Sequence, residues 1–109
     1  MSIAAATPET LALRELLNAR RLEFEALLAR YNATQPRLFG SVARGDAGPH
    51  SDIDIVVRMD EKDGNVLMRA SGLMEETHTL FGRDDIDIFP IQLLKPSISG
   101  AALADAVAL

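Results

Sequence analysis

Two long segments of the chain repeat apolar residues at helical spacing. In the first segment, steps of three and four residues place seven apolar side chains on one stripe: Leu13, Leu16, Leu17, Phe24, Leu27, Leu28 and Tyr31. Such a stripe predicts an amphipathic helix over about residues 8–31 that covers a sheet. Thr7 is a good N-cap for this helix, and Pro8 suits its first position.

Polar residues interrupt this stripe and lie opposite it. Arg20 falls inside the stripe, where its aliphatic stem could cover apolar surface while the guanidinium reaches water or a carboxylate. The opposite face of the helix is predicted to be solvated, and it carries Arg14, Asn18, Arg21 and Glu25. We expect this helix to act as a scaffold.

The second segment predicts a helix over about residues 64–81, with Gly82 as its C-terminal stop. Its apolar stripe comprises Val66, Leu67, Ala70, Leu73, Met74, Thr77, Leu80 and Phe81. We expect Met68 and Met74 to fill the core rather than to bind a ligand. His78 is expected at the surface or partly covered, and as one of two histidines it lacks the spacing of a zinc pair.

Shorter segments have strand character. Residues 37–40 predict a first strand after the turn-rich residues 32–36. In a second strand, which contains Asp52 and Asp54, the β-branched residues alternate with the aspartates and face the core: Ile53, Ile55 and Val57. The alternation predicts a strand with one buried face and one acidic face.

A third predicted strand, residues 86–91, repeats the arrangement of the second. Its isoleucines face the core, and Asp85 and Asp87 face the other way. The alanine-rich residues 95–109 then predict a short helix, whose inward side chains are Leu103, Ala106 and Val107.

This succession of elements predicts an α/β (α+β) fold. It consists of a small mixed β-sheet of three to four strands, two long helices packed on it and a short C-terminal helix. The chain has 109 residues and no compositional break, so we expect one domain over residues 1–109, with residues 1–6 frayed. Because such a domain leaves no room for a separate substrate domain, a partner or a shallow surface is expected to hold the substrate.

The net charge restricts the possible functions. A formal net charge of −5 and a pI of about 4.9 argue against nucleic-acid binding, because Lys and Arg supply most of that affinity. The absence of cysteine excludes disulfides and thiolate zinc sites. No apolar run approaches the ~18 residues of a membrane span, and the N-terminus lacks a signal-peptide pattern, so we expect a cytoplasmic protein without membrane contact.

Asp52 and Asp54 are the leading candidates for chemistry. Residues two apart in a strand point to the same face, so their carboxylates are predicted to stand side by side. Aspartate is a poor strand former, and two aspartates at this spacing repel each other. A cation between them would remove the conflict, whereas the structural alternative is a set of solvated aspartates on an exposed face.

A glycine–serine turn precedes these aspartates, with ten residues between. Glycine has no Cβ, so the backbone at Gly40 and Ser41 can approach phosphate oxygens closely and donate its N–H groups to them. The turn could therefore bring a triphosphate up to a metal ion.

The predicted loop over residues 41–51 contains two further polar candidates. Arg44 could pair with phosphate through its planar fork, or stabilise the loop by binding Asp46 or Asp52. His50 lies beside the proposed site and could act as a base, although an exposed turn histidine is the commoner case.

Several of these segments carry a family resemblance. In chain order, Gly40-Ser41, Ser51-Asp52-Ile53-Asp54 and Ile86-Asp87-Ile88-Phe89 resemble the signature of the nucleotidyltransferase superfamily that includes DNA polymerase β. The longer string Phe39-Gly-Ser-Val-Ala-Arg-Gly45, with Leu94-Lys95-Pro96 after the third aspartate, is similar to its smallest branch, the minimal nucleotidyltransferase (MNT) proteins. The resemblance runs from about residue 38 to the C-terminus and implies the polymerase β-like nucleotidyltransferase fold.

The resemblance also implies roles for the carboxylates. It assigns Asp87 as the third metal-binding and catalytic residue beside Asp52 and Asp54, whereas the residues alone leave Asp85 as an alternative. Three aspartates on adjacent strands could hold two Mg²⁺ ions about 3.5–4 Å apart, the spacing used for in-line displacement at phosphorus.

The remaining implied site residues bind the nucleotide. Gly40 and Ser41 would position the β- and γ-phosphates of ATP, and Ser51 belongs to the same family string. With Arg44 they form the predicted nucleotide-binding set.

The resemblance finally implies a biological role. Small MNT proteins of this kind resemble the antitoxins that silence HEPN ribonuclease toxins by transferring AMP from ATP to a tyrosine hydroxyl. We therefore expect a Mg-dependent protein adenylyltransferase that forms a hetero-oligomer with a HEPN toxin from a neighbouring gene. Two alternatives stay open: an antitoxin that acts by binding alone, and a nucleotidyltransferase for a small hydroxylated molecule such as an aminoglycoside.

Overall fold

The computed structural model describes residues 7–45, 47–48, 52–93 and 106–109. In these ranges the helices are α1 (Pro8–Ala19), α2 (Arg21–Arg30), α3 (Gly40–Arg44) and α4 (Val66–Phe81). The strands are β1 (Ala33–Phe39), β2 (Ile53–Met59), β3 (Ile86–Pro90) and β4 (Val107–Ala108), with short 3₁₀ turns at Glu61–Asp63 and Ile91–Leu93. None of the helices in these ranges is long and apolar enough to cross a membrane. Residues 1–6, expected to be frayed, lie outside the described residues.

The strands form one mixed sheet in the order β3-β2-β1-β4, which confirms the predicted fold class. β1 runs antiparallel to β2 and to β4, whereas β2 and β3 are parallel. Parallel neighbours require a crossover connection, and α4 provides it between β2 and β3. Because the two strands run in the same direction, both begin at the same end of the sheet.

The core lies between one face of the sheet and the helices. The predicted alternation is confirmed in β2 and β3, whose core-facing side chains are at most 5% exposed: Ile53, Ile55, Val57, Met59, Ile86 and Ile88. The helices contribute Leu13, Leu17, Phe24, Leu28, Leu73 and Phe81. Since successive strand residues point to opposite faces, Asp54 and Asp87 lie on the face turned away from this core.

The first predicted helix is divided in two. Its apolar stripe is confirmed, but Arg20 leaves helical geometry with φ −114° and ψ 24°, so α1 ends before it and α2 begins after it. The change of direction lets α1 pack against α3 while α2 packs against α4 and β1. The guanidinium of Arg20 reaches a carboxylate, that of Glu23, at 2.9 Å.

β1 is longer than the strand predicted over residues 37–40. It begins at Ala33, so it includes residues predicted to form a turn. Within the strand, Gln35 departs from regular strand geometry with a positive φ of 53°. The register with β2 shifts between Thr34 and Arg37, and regular pairing resumes there. At the other end of the strand, Gly40 is the first residue of α3 and not the last residue of β1.

α4 confirms the second predicted helix, with small differences. Asn65 is its N-cap, since Oδ1 accepts the N–H of Met68 at 2.9 Å, and Gly82 ends the helix with a φ of 67° as predicted. The expectation that Met68 fills the core is wrong, because its side chain is 72% exposed. A helix turns by about 200° in two residues, so Met68 points away from the side on which Val66 is buried. Met74 does pack against the core.

The C-terminal residues differ from the predicted helix. Val107 and Ala108 form β4, which pairs with Leu38 and Arg37 of β1, and the N–H of Leu109 donates to Pro36 O at 3.0 Å. Val107 is 42% exposed and is therefore not turned inward. The edge of β1 offers unpaired backbone groups, and their hydrogen bonds outweigh the helix propensity of alanine here. The remainder of that predicted helix, including Leu103, lies outside the described residues.

Candidate functional site

Asp54 and Asp87 lie side by side on neighbouring strands. They are register partners in β2 and β3, and Phe39 pairs with Asp54 from β1, so these three residues form one row across the sheet. All three are partly exposed on the face opposite the core. Neighbouring strands are about 4.8 Å apart, so the two carboxylates can act on one shared ligand.

Within this row, the negative charge of Asp54 is disfavoured. Its pKa lies above the ordinary value of aspartate because burial disfavours the charged form, and because the negative charges of Asp87 and Asp52 repel it. Asp52 is exposed and immediately precedes β2. The structure thus places Asp87 and Asp52 within electrostatic reach of Asp54.

Asp85 has a different partner. The guanidinium of Arg83 donates from Nε and Nη2 to the two carboxylate oxygens of Asp85, and this fork lowers the pKa of Asp85. The backbone C=O of Asp85 accepts the N–H of Ile53 at 2.9 Å. In the structure, therefore, Asp87 stands in register with Asp54, whereas Asp85 already holds a cationic side chain.

Gly40 lies directly against the carboxylate of Asp54. A Cβ built at Gly40 would fall 2.8 Å from Oδ2 of Asp54, and the φ of Gly40 is +75°. A side chain here would therefore meet both a steric clash and the penalty of the left-handed region. The glycine that the sequence singled out is required by this close approach of α3 to β2.

α3 corrects the prediction of a loop from residue 41 to residue 51. Residues 40–44 form a short helix, in which the adjacent apolar residues Val42 and Ala43 are 0% and 8% exposed. Burial of these two side chains anchors the segment to the core, which an irregular polar loop would not require. Arg44 is exposed in the last turn, at the end of α3 remote from Gly40.

Sequence reasoning missed the contact between α1 and α3. Arg14, predicted to be solvated, is partly buried, and its Nη2 donates to Val42 O at 2.8 Å and to Ala43 O at 3.1 Å. Thr10 is fully buried, and its Oγ1 accepts the N–H of Ala47 at 2.9 Å. The helical pattern around these residues indicates only a polar face, so no local signal could have found either contact.

Three predicted site features lie outside the described part of the chain. These are Ser51, His50 and the side chain of Ser41. The backbone of Ser41 belongs to α3, directly after Gly40. The described site is therefore built from the carboxylate row, Asp52 and the first turn of α3.

The carboxylates fit a hard divalent cation bound together with a substrate. Mg²⁺ prefers oxygen ligands and is usually held by one or two carboxylates, with phosphate oxygens and water completing its shell. Asp54 and Asp87 supply such a pair, and Asp52 adds an oxygen donor nearby. Within the described ranges, no group of three or more His, Cys, Asp or Glu side chains is placed to hold a metal ion. Nucleotide oxygens and water would supply the other ligands.

An aromatic pair adjoins the carboxylates on the same face of the sheet. The rings of Phe39 and Phe89 are 5.6 Å apart at an interplanar angle of 66°. Val56, the register partner of Phe89, is only 2% exposed although it points away from the helices. The charged row is thus bordered by an apolar surface.

A hollow among the described residues lies away from the carboxylates. It has a volume of about 200 Å³, and its walls come from α1, α2, β1 and β4, including Leu17, Phe24 and Leu38. None of the three aspartates lines it. The carboxylates therefore lie outside this hollow; Asp52 is exposed, and Asp54 and Asp87 are partly exposed.

Comparison with known proteins gives a family match. A family model described as "Nucleotidyltransferase domain" matches residues 23–109, which include most of α2, the whole sheet, α3 and α4. α1 lies before the matched residues. Comparison with curated proteins gives no match.

Two solved structures share the fold. One is described as a minimal nucleotidyltransferase; it is 37% identical, superposes with a TM-score of 0.74, and the match covers 87% of this chain and 94% of that one. The other is described as a toxin–antitoxin with AMP-PNP; it is 20% identical, with a TM-score of 0.63 and coverage of 76% and 66%. At 20% identity the second likeness concerns the fold alone.

Proposed function

Because this chain belongs to the nucleotidyltransferase domain family, we propose that it transfers a nucleotide from ATP to a hydroxyl group. The observation that carries this proposal is the row in which Asp54 and Asp87 stand in register with Gly40 packed against Asp54. Asp52, Asp54 and Asp87 are its catalytic, metal-binding carboxylates. The pKa of Asp54, raised by burial and by its acidic neighbours, supports a site made for a cation.

Each carboxylate has a proposed task. Asp52 and Asp54 would hold one Mg²⁺ that serves the triphosphate, and the same pair with Asp87 would hold a second that serves the acceptor hydroxyl. When bound, the two ions neutralise the phosphate charge and make the hydroxyl a better nucleophile. The side chains themselves contribute placement, because the register of β2 and β3 sets the spacing of Asp54 and Asp87.

The first turn of α3 is the proposed phosphate site. Gly40 and Ser41 present backbone N–H groups to the β- and γ-phosphates, and the absence of a side chain at Gly40 keeps this approach open. Arg44 and Ser51 complete the proposed nucleotide-binding set. Attack by the acceptor oxygen on the α-phosphorus breaks the bond to the β-phosphate, pyrophosphate leaves, and the hydroxyl proton passes to water.

The proposed acceptor is a tyrosine hydroxyl of a HEPN-type toxin from a neighbouring gene, which would make this protein an adenylylating antitoxin. The exposure of Asp52 and the partial exposure of Asp54 and Asp87 support a macromolecular acceptor that brings its own docking surface. The fold shared with a toxin–antitoxin that was crystallised with AMP-PNP is compatible with this role. The net charge of −5 supports a protein rather than a nucleic acid as the acceptor.

The decisive experiment is a transfer assay with the neighbouring-gene product. We expect incubation with ATP and Mg²⁺ to raise the mass of that product by one or more AMP units. Asp54→Asn should abolish the gain, whereas Asp84→Asn, which changes an aspartate outside the row, should not. An unchanged mass with retained neutralisation of the toxin would indicate an antitoxin that acts by binding alone. AMP transfer to an aminoglycoside without any partner would indicate a small-molecule substrate.

A further inference from the structure

The N-terminal half of α1 and its N-cap are hydrogen-bonded to α3 and to Gly45 and Ala47, which follow α3. Three residues make these contacts: Thr7, which is the N-cap of α1, and Thr10 and Arg14 within it; we call them the brace. Thr7 donates its N–H to Gly45 O at 2.9 Å and its hydroxyl to Ala47 O at 2.6 Å. The brace therefore contacts backbone groups on both sides of the end of α3.

Arg14 satisfies carbonyl groups that α3 cannot satisfy itself. The last carbonyls of any α-helix lack partners within the helix, and in a helix of five residues this includes most of them. Nη2 of Arg14 reaches Val42 O and Ala43 O, so one cationic donor caps two of these carbonyls. A positive charge is also favoured at the C-terminal end of a helix.

The two threonines form a closed hydrogen-bond network with Ala47. The single hydroxyl proton of Thr7 goes to Ala47 O, so in the 2.8 Å contact between the hydroxyls it is Thr10 that donates to Thr7. Thr10 Oγ1 in turn accepts the N–H of Ala47 at 2.9 Å. Thr10 is 0% exposed, so removal of its hydroxyl would leave a buried N–H without a partner.

The position of α3 matters because its first residue touches the carboxylate row. Gly40 lies against Oδ2 of Asp54, which would have to shift if Gly40 carried a methyl group. A displacement of α3 by a fraction of an ångström therefore changes the distance between the turn and the carboxylates. The segments that hold α3 are thus part of the geometry of the site, although they do not touch it.

We propose that the brace holds the phosphate-binding turn in place against Asp54, with Arg14 and Thr10 as positioning residues. The inference rests on the proposed nucleotide-binding function of this turn. It concerns a helix that lies before residues 23–109, so the family match does not account for it. Loss of the brace should weaken triphosphate binding and leave the carboxylates in place, because β2 and β3 hold those independently.

The test compares Arg14→Gln and Thr10→Val with two matched controls. Arg21→Gln removes an arginine that is half exposed and pairs only with Glu25 at 3.4 Å in the described part of the chain. Thr10→Ser keeps the hydroxyl at position 10. Amide hydrogen exchange of residues 40–47 reports the order of the turn, and titration with a non-hydrolysable ATP analogue and Mg²⁺ reports nucleotide affinity.

We expect both brace variants to speed exchange in residues 40–47 and to weaken analogue binding by about tenfold or more, as loss of a charge-assisted or buried hydrogen bond implies. Exchange in α4 should stay unchanged, and both controls should behave like the wild type. Arg14→Lys keeps the charge but not the planar guanidinium, so its exchange rate and analogue affinity should lie between those of the wild type and of Arg14→Gln. This variant keeps the test possible if Arg14→Gln unfolds.

The outcomes separate this proposal from the proposed function. Faster exchange with unchanged affinity, or no change in either, would overturn the brace. If the wild type itself failed to bind the analogue, the nucleotidyltransferase proposal would fail first. Equal losses in Arg21→Gln would show a general loss of stability and would also overturn the brace.

Discussion

Gly40 and Asp54 approach each other so closely that a methyl group on Gly40 would lie 2.8 Å from Oδ2 of Asp54. The contact joins the first turn of α3 to the carboxylate row of β2 and β3. Gly40 also has a φ of +75°, so a side chain at this position would be disfavoured by the backbone and would also force the Asp54 carboxylate to shift. Under the proposed function, this glycine sets how near a phosphate bound at α3 comes to the carboxylates.

Substitution of Gly40 by alanine should therefore affect both stability and nucleotide binding. The left-handed backbone alone costs about 1–2 kcal/mol for a residue with a Cβ, and the clash with Asp54 adds to it. Gly82→Ala is the matched control, since Gly82 has a φ of +67° but a methyl group there would meet no atom of the described residues within 4 Å. Urea denaturation should show a loss in both variants, whereas binding of an ATP analogue should fall only in Gly40→Ala. Equal binding by the two variants would contradict a role of Gly40 in the site.

The raised pKa of Asp54 predicts a pH-dependent stability. A carboxyl whose pKa is higher in the folded state binds protons more readily there, so its contribution to stability falls as pH rises above 3.8, the ordinary value. Asp54→Asn removes this unfavourable charge. In buffer without divalent metal, the variant should melt at a higher temperature than the wild type at pH 7, and the difference should vanish near pH 3. A variant that is less stable than the wild type at pH 7 would argue against repulsion within the row.

The fork between Arg83 and Asp85 predicts the opposite pH dependence. The pKa of Asp85 is lowered, so its contribution to stability is present above the unfolded value and is lost as pH falls through the folded value. The pair is about one-third exposed, so Arg83→Gln should cost no more than about 1 kcal/mol at pH 7. Thermal melts from pH 7 down to pH 2 should show the wild type and the variant converging. A constant difference over this range would mean that Arg83 stabilises the fold by packing.

Periodic burial explains which parts of the fold could be predicted from the sequence. In α4, β2 and β3 the core positions largely follow the repeat, so the helix, both strands and the face of Asp54 and Asp87 could be predicted. Leu67, placed in the predicted stripe, and Met68 are exceptions, at 65% and 72% exposed. Gly82 likewise ends α4 through a local backbone preference. These features depend on neighbours within a few residues, which a pattern along the chain records.

Contacts between distant segments explain which parts of the fold could not be predicted from the sequence. Arg14 bonds to Val42, 28 residues away, and nothing in the polar face of α1 indicates it. β4 exists because the edge of β1 is available to Val107, and a local propensity scale favours a helix instead. The short helix α3 depends on burial of Val42, which the glycine-rich composition around it conceals. In each case a long-range contact outweighed a local preference.

The choice between Asp85 and Asp87 as the third carboxylate gives the last prediction. The residues alone leave it open, and the structure pairs Asp87 with Asp54 while Arg83 holds Asp85. Asp87→Asn should therefore lower the rate of AMP transfer by about a hundredfold or more, as loss of a group that stabilises transition-state charge does. Asp85→Asn, an equally conservative change two residues away, should lower the rate by less than about tenfold, because the Asp85 carboxylate binds Arg83. The initial rates of transfer for both variants, measured at saturating ATP and Mg²⁺, provide the check. A larger loss in Asp85→Asn than in Asp87→Asn would reverse the assignment and move the site toward the start of β3.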